Sequence, residues 1–541
     1  MKYRKLFRYI NGWYVTSFLA ASVVLIPNIA IMYKGIKHQS PYWTHIKEYL
    51  LIDGVTNTIL LLVLTGILAS IVGTLSAWFV VRYEFPLRKF FDWALILPFA
   101  IPPYIGAYTY VNLVSYNGPV QKLIRMLGIE VNQRYFQIQN IYGAVFIYTV
   151  FLFPYVYMIV RSFIQKESGS LIEVSKTLGK SSSEIFFKVV LPLARGSIVA
   201  GVSLVLLEVL NDYGVVSYFG IQTLSTTIFS AWFGLNDIIS AKKVATVLMI
   251  FVFTILLIER YSRKAKRVDY STSKVRPIKR EKLSKFKAAL VLLFSFTIFS
   301  FGFLIPVIQM LLSSLSAFHL LLDYKFLTFV FNSLRVGVIA TIVIALFSLV
   351  TANAVRISSN RVITVLREMV TFGYSVPGAV ISIGILAVLF ALDESILKGS
   401  ASYLLSSTSI VLIVAYLIRF LAIGYNTIES GFQKIGKSFF EASRTLGHGT
   451  FSTFLKVDIP LIKPAIRSAV ILVLIEILKE LPLTLILRPF NFDTLGTKVY
   501  QYISDEMIAN ASLLSLILVG VCTLGVFYVT RNRKNIPSGG L

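Results

Sequence analysis

The chain has 541 residues, of which 56% are hydrophobic and only 14% charged, and its mean hydropathy is +0.76. So apolar a composition excludes a water-soluble protein of this length and predicts an all-α polytopic membrane protein. The formal net charge of +26 would suit nucleic acid, but the basic residues lie mostly on one side of the apolar runs, where topogenic and lipid-contacting residues belong, so no nucleic-acid partner is expected.

A helix needs roughly 20 apolar residues to cross a bilayer. Runs near that length occur at 13–33, 55–80, 91–114, 141–160, 195–216, 244–259, 287–311, 330–354, 364–391, 405–427, 465–487 and 509–530, which predicts about twelve spans. The first follows Lys2, Arg4, Lys5 and Arg8 as a secretory leader does, but it is long and has no convincing small-residue cleavage site; it is expected to be a retained helix. Arg82, Arg88 and Lys89 follow the second run, the dense stretch Arg260 to Lys287 follows the sixth, and Arg531, Arg533 and Lys534 follow the last. The positive-inside rule puts all of them, with both termini, in the cytoplasm. Cys522, the only cysteine, falls inside the last run, so no internal disulfide forms and the redox compartment stays open.

Between the fourth and fifth spans stands Ser170-Leu-Ile-Glu173-Val-Ser175-Lys-Thr-Leu-Gly179, followed by Val-Val-Leu-Pro192; between the tenth and eleventh stands Ser438-Phe-Phe-Glu441-Ala-Ser443-Arg-Thr-Leu-Gly447, followed by Val-Asp-Ile-Pro460. Each landmark recurs 268 positions later (441 − 173). Ser-x-x-Glu predicts a capping box at Ser170 and again at Ser438. The glycines predict left-handed helix stops, and Pro192 and Pro460 are expected to interrupt a second short helix.

The duplication reaches further. Asn57 matches Asn332 and Pro102 matches Pro377 at an offset of 275, and Thr223-Leu224 matches Thr494-Leu495 at 271. Residues 1–262 are thus read as a first six-helix half with a loop at about 162–194, 263–286 as a basic cytoplasmic linker, and 287–541 as a second half with a loop at about 430–464. An even number of spans per half makes the repeats parallel, about an axis along the membrane normal, with the pathway at their interface.

Glu-Val-Ser-x-x-x-Gly at 173–179 and Glu-Ala-Ser-x-x-x-Gly at 441–447 resemble the "EAA" signature of type I ATP-binding-cassette importer permeases, with Ser175 and Ser443 in place of the second alanine. The resemblance covers nearly all of the chain except the linker. It implies that the hairpins bearing Ser170, Glu173, Gly179 and Pro192, and Ser438, Glu441, Gly447 and Pro460, dock into two cytoplasmic ATPase subunits. ATP and magnesium then bind on those partners, this chain holds no cofactor or catalytic site of its own, and a binding protein delivers substrate from outside. The implied location is the bacterial cytoplasmic (inner) membrane. A competing signal is Gly431-Phe-Gln-Lys-Ile-Gly436-Lys437-Ser438, which fits the phosphate-loop pattern but follows a membrane span instead of a strand, and is read as coincidence.

Charged residues inside spans are functional candidates by default. Glu208 and Asp212 lie four apart in the fifth span, and Glu476 and Glu480 stand 268 positions on in the eleventh. Glu208 is 13 residues beyond Arg195, roughly 20 Å along a helix, so the four acids should ring the pathway from its middle outward. Two readings stay open: contact with a hard cation or an organic amine, or internal pairing with Lys479 and Arg419. No metal site is assigned with certainty. Tyr104, Tyr108 and Tyr110 could offer phenol oxygens but are read as packing or interfacial residues.

Glu208-Val-Leu-Asn-Asp-Tyr-Gly214 and the segment from Lys479-Glu-Leu-Pro to Glu506 are similar to the fused ferric-iron permeases, which implies Fe(III) as substrate. Fused thiamine permeases share the architecture and polyamine permeases the loop motif. An ion-coupled secondary transporter is the rival from another class.

Overall fold

The computed structural model describes residues 12–35, 40–167, 169–264, 278, 280–357, 361–393 and 408–534. Among the described residues, nine helices are long and apolar enough to cross a membrane, and two sharply bent helix pairs raise the number to eleven. The remaining predicted span corresponds to the helix Ile459–Lys479, which carries Lys463, Arg467, Glu476 and Lys479. Part of the expected run 405–427, its first three residues, lies outside the described residues.

Four spans depart from straight rods, in matched pairs. The third span of each half is bent, by 93° at Pro102 and by 112° at Pro377. Proline cannot donate to the helix ladder, and it pushes its predecessor out of the helical region; Ile101 and Val376 accordingly have ψ of 115° and 125°. The fifth and eleventh spans, expected at 195–216 and 465–487, stop at Asn211 and Lys479. Asp212 and Glu480 are extended, with ψ of 138° and 122°, and short helices Gly214–Tyr218 and Pro482–Leu487 follow. Breaks at corresponding places in two repeats leave backbone polar groups that only a protein-lined interior can satisfy.

The loop prolines do not interrupt a helix, contrary to the sequence expectation. Pro192 and Pro460 lie in the first turn of Leu191–Asn211 and Ile459–Lys479, each preceded by a π-helical turn, Phe186–Val190 and Phe454–Asp458. The wider turn absorbs the ring and the missing N–H, so the short helix of each loop runs on into its span.

The halves are interlocked. The first helix, Gly12–Gly35, packs against Tyr324–Ile357, Arg361–Phe372 and Gly378–Leu392 of the second half, while Lys285–Phe299 and Ile305–Ser314 pack against Arg88–Ala94 and Pro103–Val114 of the first. Within each half the second and fourth spans pair closely, Ile52–Arg82 with Ile141–Glu167 and Tyr324–Ile357 with Ile410–Ile435. Gly73 and Gly201 both press on Val156, where an added Cβ would meet atoms at 2.7 Å; the small residue lets three helices close on one point.

The matches read from sequence are matching contacts in space. Asn57 donates to the Gln222 carbonyl at 2.8 Å and Asn332 to the Asp493 carbonyl at 3.3 Å. Thr58 and Ser333 each accept from the N–H that follows the cap, Leu224 at 3.2 Å and Leu495 at 2.6 Å. Thr223 and Thr494 open their helices with equivalent capping boxes.

Candidate functional site

The two hairpins are built alike. Gly179 and Gly447 have φ of +76° and +87° and end helices Gly169–Thr177 and Ser438–Thr445. Lys180 N–H returns to the Ser175 carbonyl at 3.1 Å and His448 N–H to Ser443 at 3.2 Å, the double-wound stop that a glycine permits. The leucine before each glycine faces outward, Leu178 being 73% and Leu446 79% exposed. Ser443 is buried and bonds the Thr453 hydroxyl at 2.9 Å, so the small residue ties the hairpin's two arms together. Ser175 instead bonds the Leu171 carbonyl at 2.7 Å.

The expected caps are displaced. Lys437, not Ser438, precedes the helix, and it makes no side-chain cap bond; the side chain of Ser170 lies outside the described residues. A complete capping box does form one helix later in the first loop, where Ser181 and Glu184 bond reciprocally. A serine at the first helical position rather than before it has helical backbone, which turns its hydroxyl away from the free N–H groups of the first turn, and Ser438 stands there. The phosphate-loop lookalike is half helical, since Gly431 to Ile435 end the helix Ile410–Ile435 and Gly431 packs on Ala465. Amides committed to a helix cannot wrap a phosphate.

A buried arginine anchors each hairpin, by different means. Arg356 contacts Asp458 at 2.6 Å and the Gly436 carbonyl at 2.9 Å. Arg82, at the same end of the second span, contacts Glu281 at 2.9 Å, because the first-half counterpart of Asp458 is Val190 (458 − 268). The linker supplies the missing charge: Glu281–Lys282 pairs in parallel with Tyr83–Glu84. Glu281 also takes Lys176 at 3.1 Å and the Ser182 hydroxyl at 3.0 Å. Burial works against its charge, but the Lys176 and Ser182 bonds and the nearby arginine hold its carboxyl below the usual range. That contribution is present at neutral pH and fades only as pH falls through the lowered value. Glu281→Gln should lower the stability of the detergent-purified protein by about 1 kcal/mol, Glu281 being one-third exposed, and adding Val190→Asp should recover most of it. Thermal unfolding of both variants measures this.

The four intramembrane acids meet in one cavity at the interface of the halves, of about 60 Å³, bordered also by Pro102, Tyr104, Arg419, Lys479 and Pro482. The bends and breaks of the spans bring them there. The second-half acids are ion-paired: Glu480 with Arg419 at 3.0 Å, both nearly inaccessible, and Glu476 with Lys479 at 3.0 Å. Arg419 also donates to the Val376 carbonyl at 2.7 Å, and Leu483 N–H to Glu480 at 3.2 Å, so this pair clamps a bend and a break together. Lys479 rests over the Phe99 ring, 3.7 Å from its centre.

The first-half acids have hydroxyl partners instead. Glu208 accepts from Tyr374 at 2.9 Å and from Tyr155 at 3.3 Å, and Asp212 from Tyr148 at 2.7 Å and from Val215 N–H at 2.9 Å. Of the two open sequence readings, internal pairing with Lys479 and Arg419 is thus found for the second-half acids, while the first-half acids are held by neutral donors. Tyr148, Tyr155 and Tyr374 were not singled out from sequence, since aromatics abound in such helices and only the fold shows which hydroxyls turn inward. Of the three tyrosines that were, Tyr108 bonds Ser515 at 3.0 Å and Tyr110 the Phe301 carbonyl at 2.5 Å. Tyr104 alone lines the cavity.

Comparison with known proteins agrees with this architecture. Residues 51–264 and 346–533 each match the family described as "binding-protein-dependent transport system inner membrane component". The chain is 28% identical over 487 residues to a protein of Haemophilus influenzae named Fe(3+)-transport system permease protein FbpB 2, covering 88% of this chain and 89% of that one. It is also 27% identical over 205 residues to the sulfate transport system permease protein CysT of Escherichia coli, covering 38% of this chain and 72% of the relative. The CysT of Salmonella typhimurium is 26% identical over the same length. With the family's pattern matched twice along a duplicated helical chain, this protein belongs to the multi-pass inner-membrane components of binding-protein-dependent transport systems, the type I ATP-binding-cassette importer permeases.

Proposed function

We propose that the chain is the membrane-spanning subunit of an iron(III) importer. The observation that carries the choice of cargo is the charge around the central cavity, where four carboxylates face two cations. Of the two cargo classes named by its relatives, this wall favours the metal cation. A sulfate dianion about 6 Å from an unpaired carboxylate would be repelled by about 5 kcal/mol at an effective dielectric near 20, whereas a trivalent cation would be attracted. The full-length similarity to a permease named for Fe(3+) supports the same reading.

Two ATPase subunits grip the hairpins from the cytoplasm, where both termini also lie. They bind ATP and magnesium and carry out all hydrolysis. The exposed Leu178 and Leu446 offer each an apolar foothold beside a rigid turn. A ligand shifts a conformational equilibrium only by binding one state better, so docking of the loaded binding protein outside and ATPase closure inside both favour the outward-open form. Vesicles reconstituted with the chain, its ATPases and its binding protein should accumulate radioactive iron(III) on ATP addition and leave sulfate outside. Uptake of iron driven by an imposed proton or sodium gradient with the chain alone would sink this reading in favour of a secondary transporter.

A further inference from the structure

The duplication gave both halves the same pair of acids, and the residues around them have since diverged in a consistent way. Arg419 and Lys479 neutralise the second-half pair; their first-half counterparts, 268 positions earlier, are Phe151 and Asn211. Neither can carry charge, and both border the same cavity. Two of the three hydroxyls show the reverse, Tyr148 being matched by Tyr416. Tyr155, which bonds Glu208, corresponds to Ile423 at that offset, and Tyr374 corresponds to Phe99 at 275. Cations were placed around one pair of carboxylates and phenol oxygens around the other.

We propose that cargo is received on one side of the cavity only, by the Glu208 and Asp212 carboxylates together with the phenol oxygen of Tyr155, while Tyr374 and Tyr148 hold those carboxylates in place from behind. Glu476 and Glu480, held by Lys479 and Arg419, form a fixed wall that sets the shape of the passage and takes no part in binding. The ligand class is a hard, multiply charged metal cation, since every donor on the receiving side is oxygen and two are anionic. Tyr104 also borders the cavity; its buried hydroxyl, beside Gly496, has no hydrogen-bond partner. Such a group is costly to leave unsatisfied in a membrane interior.

The site is weak by construction. Among the described residues no three of His, Cys, Asp and Glu gather closely enough to hold a metal ion. Two carboxylates supplemented by a neutral phenol suit a transit point, where an ion must leave as readily as it enters. The proposal rests on the importer reading above for its cargo, but its donor set can be tested without transport.

Terbium(III) is a hard trivalent probe whose emission is sensitised by adjacent tyrosine. Titrated into the purified chain, it should give a saturable signal on tyrosine excitation. The double variant Glu208→Gln/Asp212→Asn should weaken terbium binding by about tenfold or more, the loss of two charge-assisted contacts. Tyr374→Phe, which keeps the ring and its packing, should weaken it by about threefold, the worth of a single hydrogen bond. The charge-neutral change Glu476→Gln/Lys479→Met should stay within about twofold, its net charge being conserved. Wild-type affinity in the first double variant, or an equal loss in the Glu476/Lys479 variant, overturns the one-sided site. If the terbium pattern holds while reconstituted vesicles take up no iron, the donor set stands and the iron assignment falls.

Discussion

Arg419→Met should be the most damaging single replacement outside the hairpins. It strands the Glu480 carboxylate, 6% exposed, which keeps the N–H of Leu483, and it also removes the donor to the Val376 carbonyl. Breaking a buried ion pair from one side costs about 3–5 kcal/mol, a large share of what a typical protein has to spare. Little of this variant should survive extraction as a monodisperse species. Replacing both partners, Arg419→Met with Glu480→Met, removes the stranded charge and should restore most of the yield. Size-exclusion profiles and thermal unfolding in detergent compare the three proteins. A single variant as stable as wild type would mean that the pair does not hold the bend at Pro377 against the break at Glu480.

The second large effect concerns motion, not stability. Gly447 adopts φ of +87° with nothing near the position a Cβ would take, so a side chain there meets a backbone penalty and no clash. Valine is poorly suited to that region, at a cost of about 1–2 kcal/mol, and the hairpin should turn into another conformation. Gly447→Val should extract and unfold much like wild type, since the turn is exposed, yet lose co-purifying ATPase and about tenfold or more of ATP-driven uptake, a loss of about 1.4 kcal/mol in coupling. Gly447→Asn, a residue that tolerates the left-handed region, should retain both. Pull-down with tagged ATPase and vesicle uptake test the pair. Full uptake by the valine variant would remove the hairpin from the coupling path.

The repeat was legible because identity at fixed offsets survives where the same contact is needed twice: Asn57 and Asn332 make the same bond to a loop carbonyl, and Gly179 and Gly447 the same turn. The intramembrane acids were legible because a charge in an apolar run stands out. What sequence could not show was partnership. Lys479 is beside Glu480 in the chain, yet pairs with Glu476, because three residues along a helix face one another and neighbours do not. Tyr374 reaches Glu208 across the interface of the halves, a pairing between residues 166 positions apart that no local pattern records. The cap expected at Ser438 failed because the pattern is short and local geometry moved the helix start by one residue. Pro192 and Pro460 were misjudged because a π-helical turn can accommodate what an α-helix cannot.

Charge reversal marks a third pair of equivalent positions. Asp92 and Arg161 meet at 2.6 Å, while Arg367 and Glu429 meet at 3.5 Å with the signs exchanged. The two halves therefore keep an interaction while varying who supplies which charge, as Arg82 and Arg356 do with theirs.

Glu281 gives that freedom a direction. The joining segment is the source of a carboxylate that the first hairpin leans on, so a cut that parted Glu281 from Arg82 would cost the first half a contact that an acid at position 190 could return. The tether has become a component.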